Sequence, residues 1–272
     1  MSTDINDMFK DKVLGHPAGL FVLFFTEMWE RFSYYGMRAL LVMFFTASLL
    51  DGGWGWPREH AYAIFGTYTS LVYLSTLLGG YFADKKIGYR YAVVVGALLM
   101  TLGHGAMAVE TPFFIYLGLT LLVFGSGFFK PNMTSIISEM YKGKDEKKDG
   151  AYTIFYMGVN AGAFLGILLC GYLGEQVGWR WGFGLAGVFM LFGLLQFWFA
   201  QNIFGNIGTK PVKVDVAHIE ISADEPKLNP FTQLQLALIA VAGVLGISWI
   251  FNDPISKISE GAYNLFDFSM LG

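Results

Sequence analysis

Cysteine is nearly absent. Cys170 is the only one in 272 residues, which excludes an internal disulfide framework and a cysteine-rich metal site. Charge is scarce as well, at 14% of residues against 54% hydrophobic, and the net charge of −3 provides no basic surface for nucleic acid. Neither a His-Glu-x-x-His nor a Gly-x-Ser-x-Gly run occurs. No enzyme chemistry, metal or cofactor is therefore expected. The first sixteen residues are polar and mixed in charge, with no short apolar stretch before a small-residue cleavage site. They read as a cytoplasmic tail leading into a retained first helix.

What the chain does have is long apolar runs. Runs of about 20 residues, the length needed to cross a bilayer as helix, fall near 20–50, 61–83, 90–109, 113–140, 151–175, 179–203 and 230–252. The expected fold is all-α and polytopic. A tail (1–19) precedes a six-helix bundle (20–204), followed by a cytoplasmic linker (205–229), then an additional membrane helix with the C-terminal end (230–272). Lys and Arg set the orientation. Twelve of them, from Lys10 to Lys227, lie on one side of these spans and only Arg58, Arg180 and Lys257 on the other, so the N-terminus is expected in the cytoplasm.

Several residues describe packing. Gly158, Gly162 and Gly166 recur every four positions, a stripe that lets helices approach closely. Thr111 before Pro112 reads as the N-cap of span four, and Asp149-Gly150 as that of span five. Trp54, Trp56, Trp179 and Trp181 fall at outer span ends, where interface anchors sit. His104 reads as a satisfied packing residue.

The three basic residues left over, Arg31, Arg38 and Lys130, are inside spans. In the first span, Glu27, Glu30 and Arg31 share a helical face with Tyr34 and Arg38, being three or four residues apart. Each charge at bilayer depth costs ~2.5–3.5 kcal/mol to insert, so such a stripe points to a route for protons or a charged solute. Lys130 precedes Pro131, which removes a backbone hydrogen bond and favours a kink. Helix rise places Lys130 at a depth comparable to Glu27 and Glu30. An inert ion pair remains the alternative reading.

The loop Gly80-Tyr-Phe-Ala-Asp84-Lys85-Lys86-Ile-Gly88-Tyr-Arg90 resembles that of the major facilitator superfamily. In it, Gly80 would permit close approach, while Lys85 and Arg90 would hold the loop at the anionic leaflet. Three further segments, Glu27-x-x-Glu30-Arg31-Phe-Ser-Tyr34-Tyr35-Gly36-x-Arg38, Phe128-Phe-Lys130-Pro131-Asn132 and Phe155-Tyr-Met-Gly158-Val-Asn160, resemble the proton-dependent oligopeptide transporter family. That resemblance implies proton-coupled symport of di- and tripeptides by alternating access in a plasma membrane, bacterial inner membrane included. It implies that Glu27 and Glu30, with Arg31 and Lys130, couple protons. Arg31, Arg38 and Lys130 would meet the peptide carboxylate, and Tyr34, Tyr35, Tyr73 and Asn160 would shape the cavity. Animal members carry a histidine in span two, whereas Phe65-Gly66-Thr67 has none. Members also have twelve spans or more, so this chain is expected to be an N-terminal half that needs a C-terminal six-helix half and does not transport alone. The alternative is a membrane assembly partner that moves no substrate, or a homodimer.

Overall fold

The computed structural model describes residues 12–210 and 232–258. Among them are seven long helices: α1 (Ala18–Thr46), α2 (Arg58–Phe82), α3 (Tyr89–Met107), α4 (Pro112–Met140), α5 (Asp145–Gln176), α6 (Trp179–Ala200) and α7 (Gln233–Ile258). Five helical segments, covering α2 through α6, are long and apolar enough to cross a membrane. The chain is a multi-pass membrane protein. The first helix misses that criterion because Glu27, Glu30, Arg31 and Arg38 interrupt its apolar sequence. It is placed instead where lipid is shielded, packed along α5 and α6, with Leu20, Leu23, Met37, Leu40 and Phe44 wholly buried.

Small residues make that placement possible. The glycine stripe on α5 lies along α1: an added Cβ on Gly162 or Gly166 would collide with the carbonyl of Met28 or Phe32. Without a hydrophobic force between helices in lipid, such backbone proximity supplies the packing. Two more seams use the same device. Gly79 of α2 sits against the Gly127 carbonyl of α4, and Gly96 of α3 against the Gly125 carbonyl. Ser75 adds a hydrogen bond from its hydroxyl to the Val123 carbonyl at 2.7 Å. The close approach expected of Gly80 therefore belongs to its neighbour Gly79; Gly80 meets only the Pro131 side chain, at ordinary contact distance. A one-residue step turns a helix by about 100°, so the two glycines face different neighbours.

Helix ends differ from expectation in four places. Helix α5 begins at Asp145, not near 151, because Asp145 and Glu146 in its first turn suit the helix dipole. Asp149 lies inside the helix, its carbonyl accepting from the Thr153 hydroxyl at 3.0 Å. Thr111 is at the N-cap of α4, with Pro112 following, yet its side chain makes no capping bond. Helix α7 runs past Asn252-Asp253-Pro254 to Ile258 and packs on α2. Of the expected linker, Gly205 to Lys210 is described and lies against the bundle, Arg90 N–H donating to the Gly208 carbonyl at 3.0 Å. Residues 211–229, like 1–11, His218 and 259–272, lie outside the described residues.

Aromatic placement corrects the interface-anchor reading. Trp54 and Trp56 stack on Phe45 with centroids 5.1 and 4.8 Å away. Trp179 is buried and donates Nε1–H to the Asp51 carbonyl at 2.9 Å. Trp181 alone of the four is exposed. These rings cap the α1–α6 end of the bundle, covering apolar surface that loops leave open. His104 is fully buried, but neither ring nitrogen has a hydrogen-bond partner. It packs without being satisfied.

A short hairpin, Lys12–Val13 paired with His16–Pro17, precedes α1. Tyr141 Oη and His16 Nδ1 share a hydrogen bond at 2.7 Å, tying the hairpin to the end of α4.

Replacing Gly162 by Leu is expected to destabilise the bundle by at least about 1–3 kcal/mol through overpacking. Gly171→Leu, whose Cβ points into open space, serves as the control; thermal unfolding in detergent compares the two. Partial burial and Lys147 hold the His16 pKa below its ordinary value. The unfolded chain then binds the proton more readily, so the hairpin's contribution is complete above about pH 6.5 and falls as pH drops through that value. Hydrogen exchange over residues 12–17, expressed as protection after correction for the slower intrinsic exchange in acid, should show less protection at pH 5 than at pH 7, and His16→Gln should flatten the difference.

Candidate functional site

One helix supplies most of the site. On α1, Glu27, Glu30, Arg31, Tyr34 and Arg38 form a continuous stripe. The Arg31 Nε–H donates to Glu27 Oε1 at 2.7 Å, and the same nitrogen lies 3.0 Å from Glu30 Oε2. A single N–H aligns well with one acceptor only. Glu30 accordingly has no aligned hydrogen bond on either oxygen, although it is wholly buried. The pairing is Coulombic and incompletely satisfied, which is costly in a low-dielectric interior.

Tyr34 is the hub. Its buried ring has Lys130 Nζ 3.6 Å from the centroid, with the guanidinium carbons of Arg38 and Arg31 at 5.3 and 5.9 Å. Arg38 also lies 5.8 Å from the Tyr35 ring and 5.0 Å from Phe65. Such cation–π contacts strengthen once desolvated, to ≈ 2 kcal/mol or more. Lys130 thus reaches the cluster from α4, as depth counting implied, but it caps a ring and makes no ion pair with Glu27 or Glu30 within 4 Å. Both carboxylates act on it electrostatically.

Pro131 lies inside α4 without ending it. Pro131 lacks the N–H that would bond the Gly127 carbonyl, and side chains nearby bond other carbonyls of the same stretch. Asn132 Nδ2 donates to Phe128 O at 2.7 Å, and the Thr134 and Ser135 hydroxyls donate to Pro131 O at 2.9 and 3.0 Å.

Two candidates stand apart. Tyr73 is 68% exposed, on the open side of α2 and close enough to Tyr34 for an electrostatic interaction. Asn160 is exposed and turns back on its own helix, donating Nδ2–H to the Tyr156 carbonyl at 3.0 Å. It makes no bond to another helix. Tyr156 and Phe164, one turn either side, are exposed as well. Tyr73 and Asn160 are exposed, whereas Glu27 and Glu30 are buried and Arg31, Arg38 and Lys130 half-buried.

Sequence reasoning passed over Phe65 and Tyr68. Tyr68 is buried, its hydroxyl has no hydrogen-bond partner, and it interacts with Tyr34, Glu30 and Arg38. The available signal was the stripe Ala61, Ile64, Tyr68, Val72, Ser75 and Gly79, buried positions at helical spacing on α2. That stripe marks the inward face, and Tyr73 falls outside it.

Two carboxylates against three cations leave the cluster one positive charge in excess, at a depth where charge is expensive. An anionic solute group entering from the open side would complete it.

The POT family profile matches residues 90–218. The peptide transporter YePEPT of Yersinia enterocolitica is 43% identical over 200 residues, 72% of this chain and 39% of that protein. A di-/tripeptide transporter of Lactococcus lactis subsp. cremoris is 40% identical over 203 residues, 72% of this chain and 40% of that protein. A solved structure of a peptide transporter POT in complex with sulfate superposes with a TM-score of 0.72 at 36% identity, covering 99% of this chain and 53% of that one. The chain spans about half the length of the relatives it matches.

Arg31→Gln leaves two buried carboxylates without their cation and is expected to cost about 3–5 kcal/mol. Glu30→Gln removes the less well bonded carboxylate and should cost clearly less. Thermal unfolding of the purified variants tests the order; a larger loss for Glu30→Gln would refute the unequal sharing of the Arg31 Nε–H.

Proposed function

We propose, on the premise that the chain belongs to the POT family, that it forms half of a proton-coupled carrier of di- and tripeptides that works by alternating access. The observation that carries this reading is the cationic excess around Tyr34, set beside a buried Glu30 that lacks hydrogen bonds. A peptide's terminal carboxylate would be drawn to Arg31, Arg38 and Lys130. Glu27 and Glu30 would take and release the proton, since a carboxylate that shares its cation responds to a second anion arriving nearby. Tyr34, Tyr35, Tyr73 and Asn160 would shape the pocket around the bound backbone.

Coupling in this scheme is thermodynamic. Peptide and proton must each bias the same equilibrium between outward-open and inward-open arrangements. A six-helix unit has nothing to rock against, so the reading requires a second such half, docked over the open side that carries Tyr73, Tyr156 and Phe164. That half would also have to supply an acidic group for the peptide amine. The basic-residue asymmetry supports a cytoplasmic N-terminus, and the family resemblance supports a plasma membrane.

Proton-driven dipeptide uptake into liposomes tests the proposal, with the chain alone and with a companion six-helix half. Uptake should require both halves and fall at least about tenfold in Lys130→Ala, the loss of one charge-assisted contact. Uptake by the chain alone would remove the need for a partner. No uptake with any companion would leave the peptide reading without support.

A further inference from the structure

On the side of the bundle rich in Lys and Arg, a cavity of about 380 Å³ opens between the first turn of α3 and the end of α6. Arg90, Tyr91, Gln201, Asn202, Thr209 and Lys210 line it, and none of its lining residues is acidic. We propose that this cavity is a binding site for a phosphate group, taken from an anionic lipid headgroup at the membrane edge.

The walls are held in place by the chain itself. Arg90 N–H donates to Gly208 O at 3.0 Å, and Arg90 Nη1 donates to Gln201 O at 2.8 Å. Gly208 N–H in turn donates to Glu139 Oε2 at 2.8 Å. Gly88, with φ +81°, lets the Thr209 backbone lie against the α2–α3 turn; a side chain there would collide with it. The segment after α6 is thereby clasped to the start of α3, and two cations are brought to one opening. The Glu139 carboxylate is thereby engaged by the backbone of the clasp.

Arg90 was expected to hold the loop at the anionic leaflet directly. Its Nη1 instead serves the Gln201 carbonyl. A guanidinium presents five N–H donors in a fixed fork, so this one bond orients the group and leaves its planar face of donors suited to phosphate oxygens. Lys210 adds a mobile point charge, and the Asn202, Gln201 and Thr209 side chains add neutral hydrogen-bonding groups. Tyr91 is 57% exposed on α3, its ring beside the opening where lipid glycerol and upper acyl carbons would pass. Basic pockets between membrane helices at this level suit lipid headgroups. The proposal is independent of peptide transport, and its test needs no uptake.

Native mass spectrometry of the chain released from micelles doped with phosphatidylglycerol reads it directly. One tightly retained lipid is expected, with retention reduced roughly fivefold by Lys210→Gln and again by Arg90→Gln, about 1 kcal/mol for each cation. Lys142→Gln, an equal charge change outside the cavity, should leave retention unaltered. Lys210→Gln keeps the Arg90–Gln201 clasp, so its result stands even if Arg90→Gln disturbs folding. The same measurement with inorganic phosphate separates the sources. Competition by millimolar phosphate would place a free anion in the cavity, and resistance to it would identify the lipid. Equal retention in Lys210→Gln and Lys142→Gln, or retention of phosphatidylcholine as strong as that of phosphatidylglycerol, would overturn the proposal.

Discussion

Placing Glu27, Glu30 and Arg31 within one helix constrains everything packed around it. Such a helix is poorly tolerated facing lipid, because each exposed charge costs several kcal/mol. It must be surrounded by other helices, and closely enough to exclude lipid along its length. The α5 glycine stripe meets that demand by bringing backbone to within contact of Met28 and Phe32. Helix α6 completes the enclosure, with Trp29 Nε1 donating to Gln196 Oε1 at 3.0 Å and Gln196 Nε2 to Val22 O at 3.2 Å. Packing and electrostatics are therefore one problem here: loosen the seam, and the charges lose their shelter.

The enclosure is deliberately incomplete on one side only in its consequences for chemistry. Where α2 and α5 present Tyr73, Tyr156 and Phe164 outward, large aromatic side chains stand exposed, while Arg31, Arg38 and Lys130 are half-buried around Tyr34. Lys130 and the arginines of α1 all lie within about 6 Å of the centroid of the Tyr34 ring, whose quadrupole attracts their charge without neutralising it. Cations held by a quadrupole stay available to an incoming carboxylate, whereas cations locked in good ion pairs would not. The same logic explains why Glu30 is left without an aligned donor.

Much of the fold was legible beforehand. Apolar runs marked the helices to within a few residues at most ends, since insertion in a bilayer demands about 20 apolar positions and little else produces them. The largest displacements, at the start of α5 and the end of α7, arose because polar turns continue a helix beyond the apolar run. Misassignment of Gly80 for Gly79 and of Trp54, Trp56 and Trp179 as interface anchors has a common cause. Linear order tells which residues are small or aromatic, not toward which neighbour a given turn directs them.

The candidate site divides along the same line. Spacing alone put Glu27, Glu30, Arg31, Tyr34 and Arg38 on one face, because a helix repeats every 3.6 residues whatever surrounds it. Depth counting alone brought Lys130 to their level. Only the tertiary structure decided that Lys130 covers the Tyr34 ring and forms no ion pair, that Arg31 serves Glu27 better than Glu30, and that Tyr68 joins from α2. Those outcomes depend on side-chain direction across helix seams, which is set by how closely three backbones approach and has no signature in any single segment.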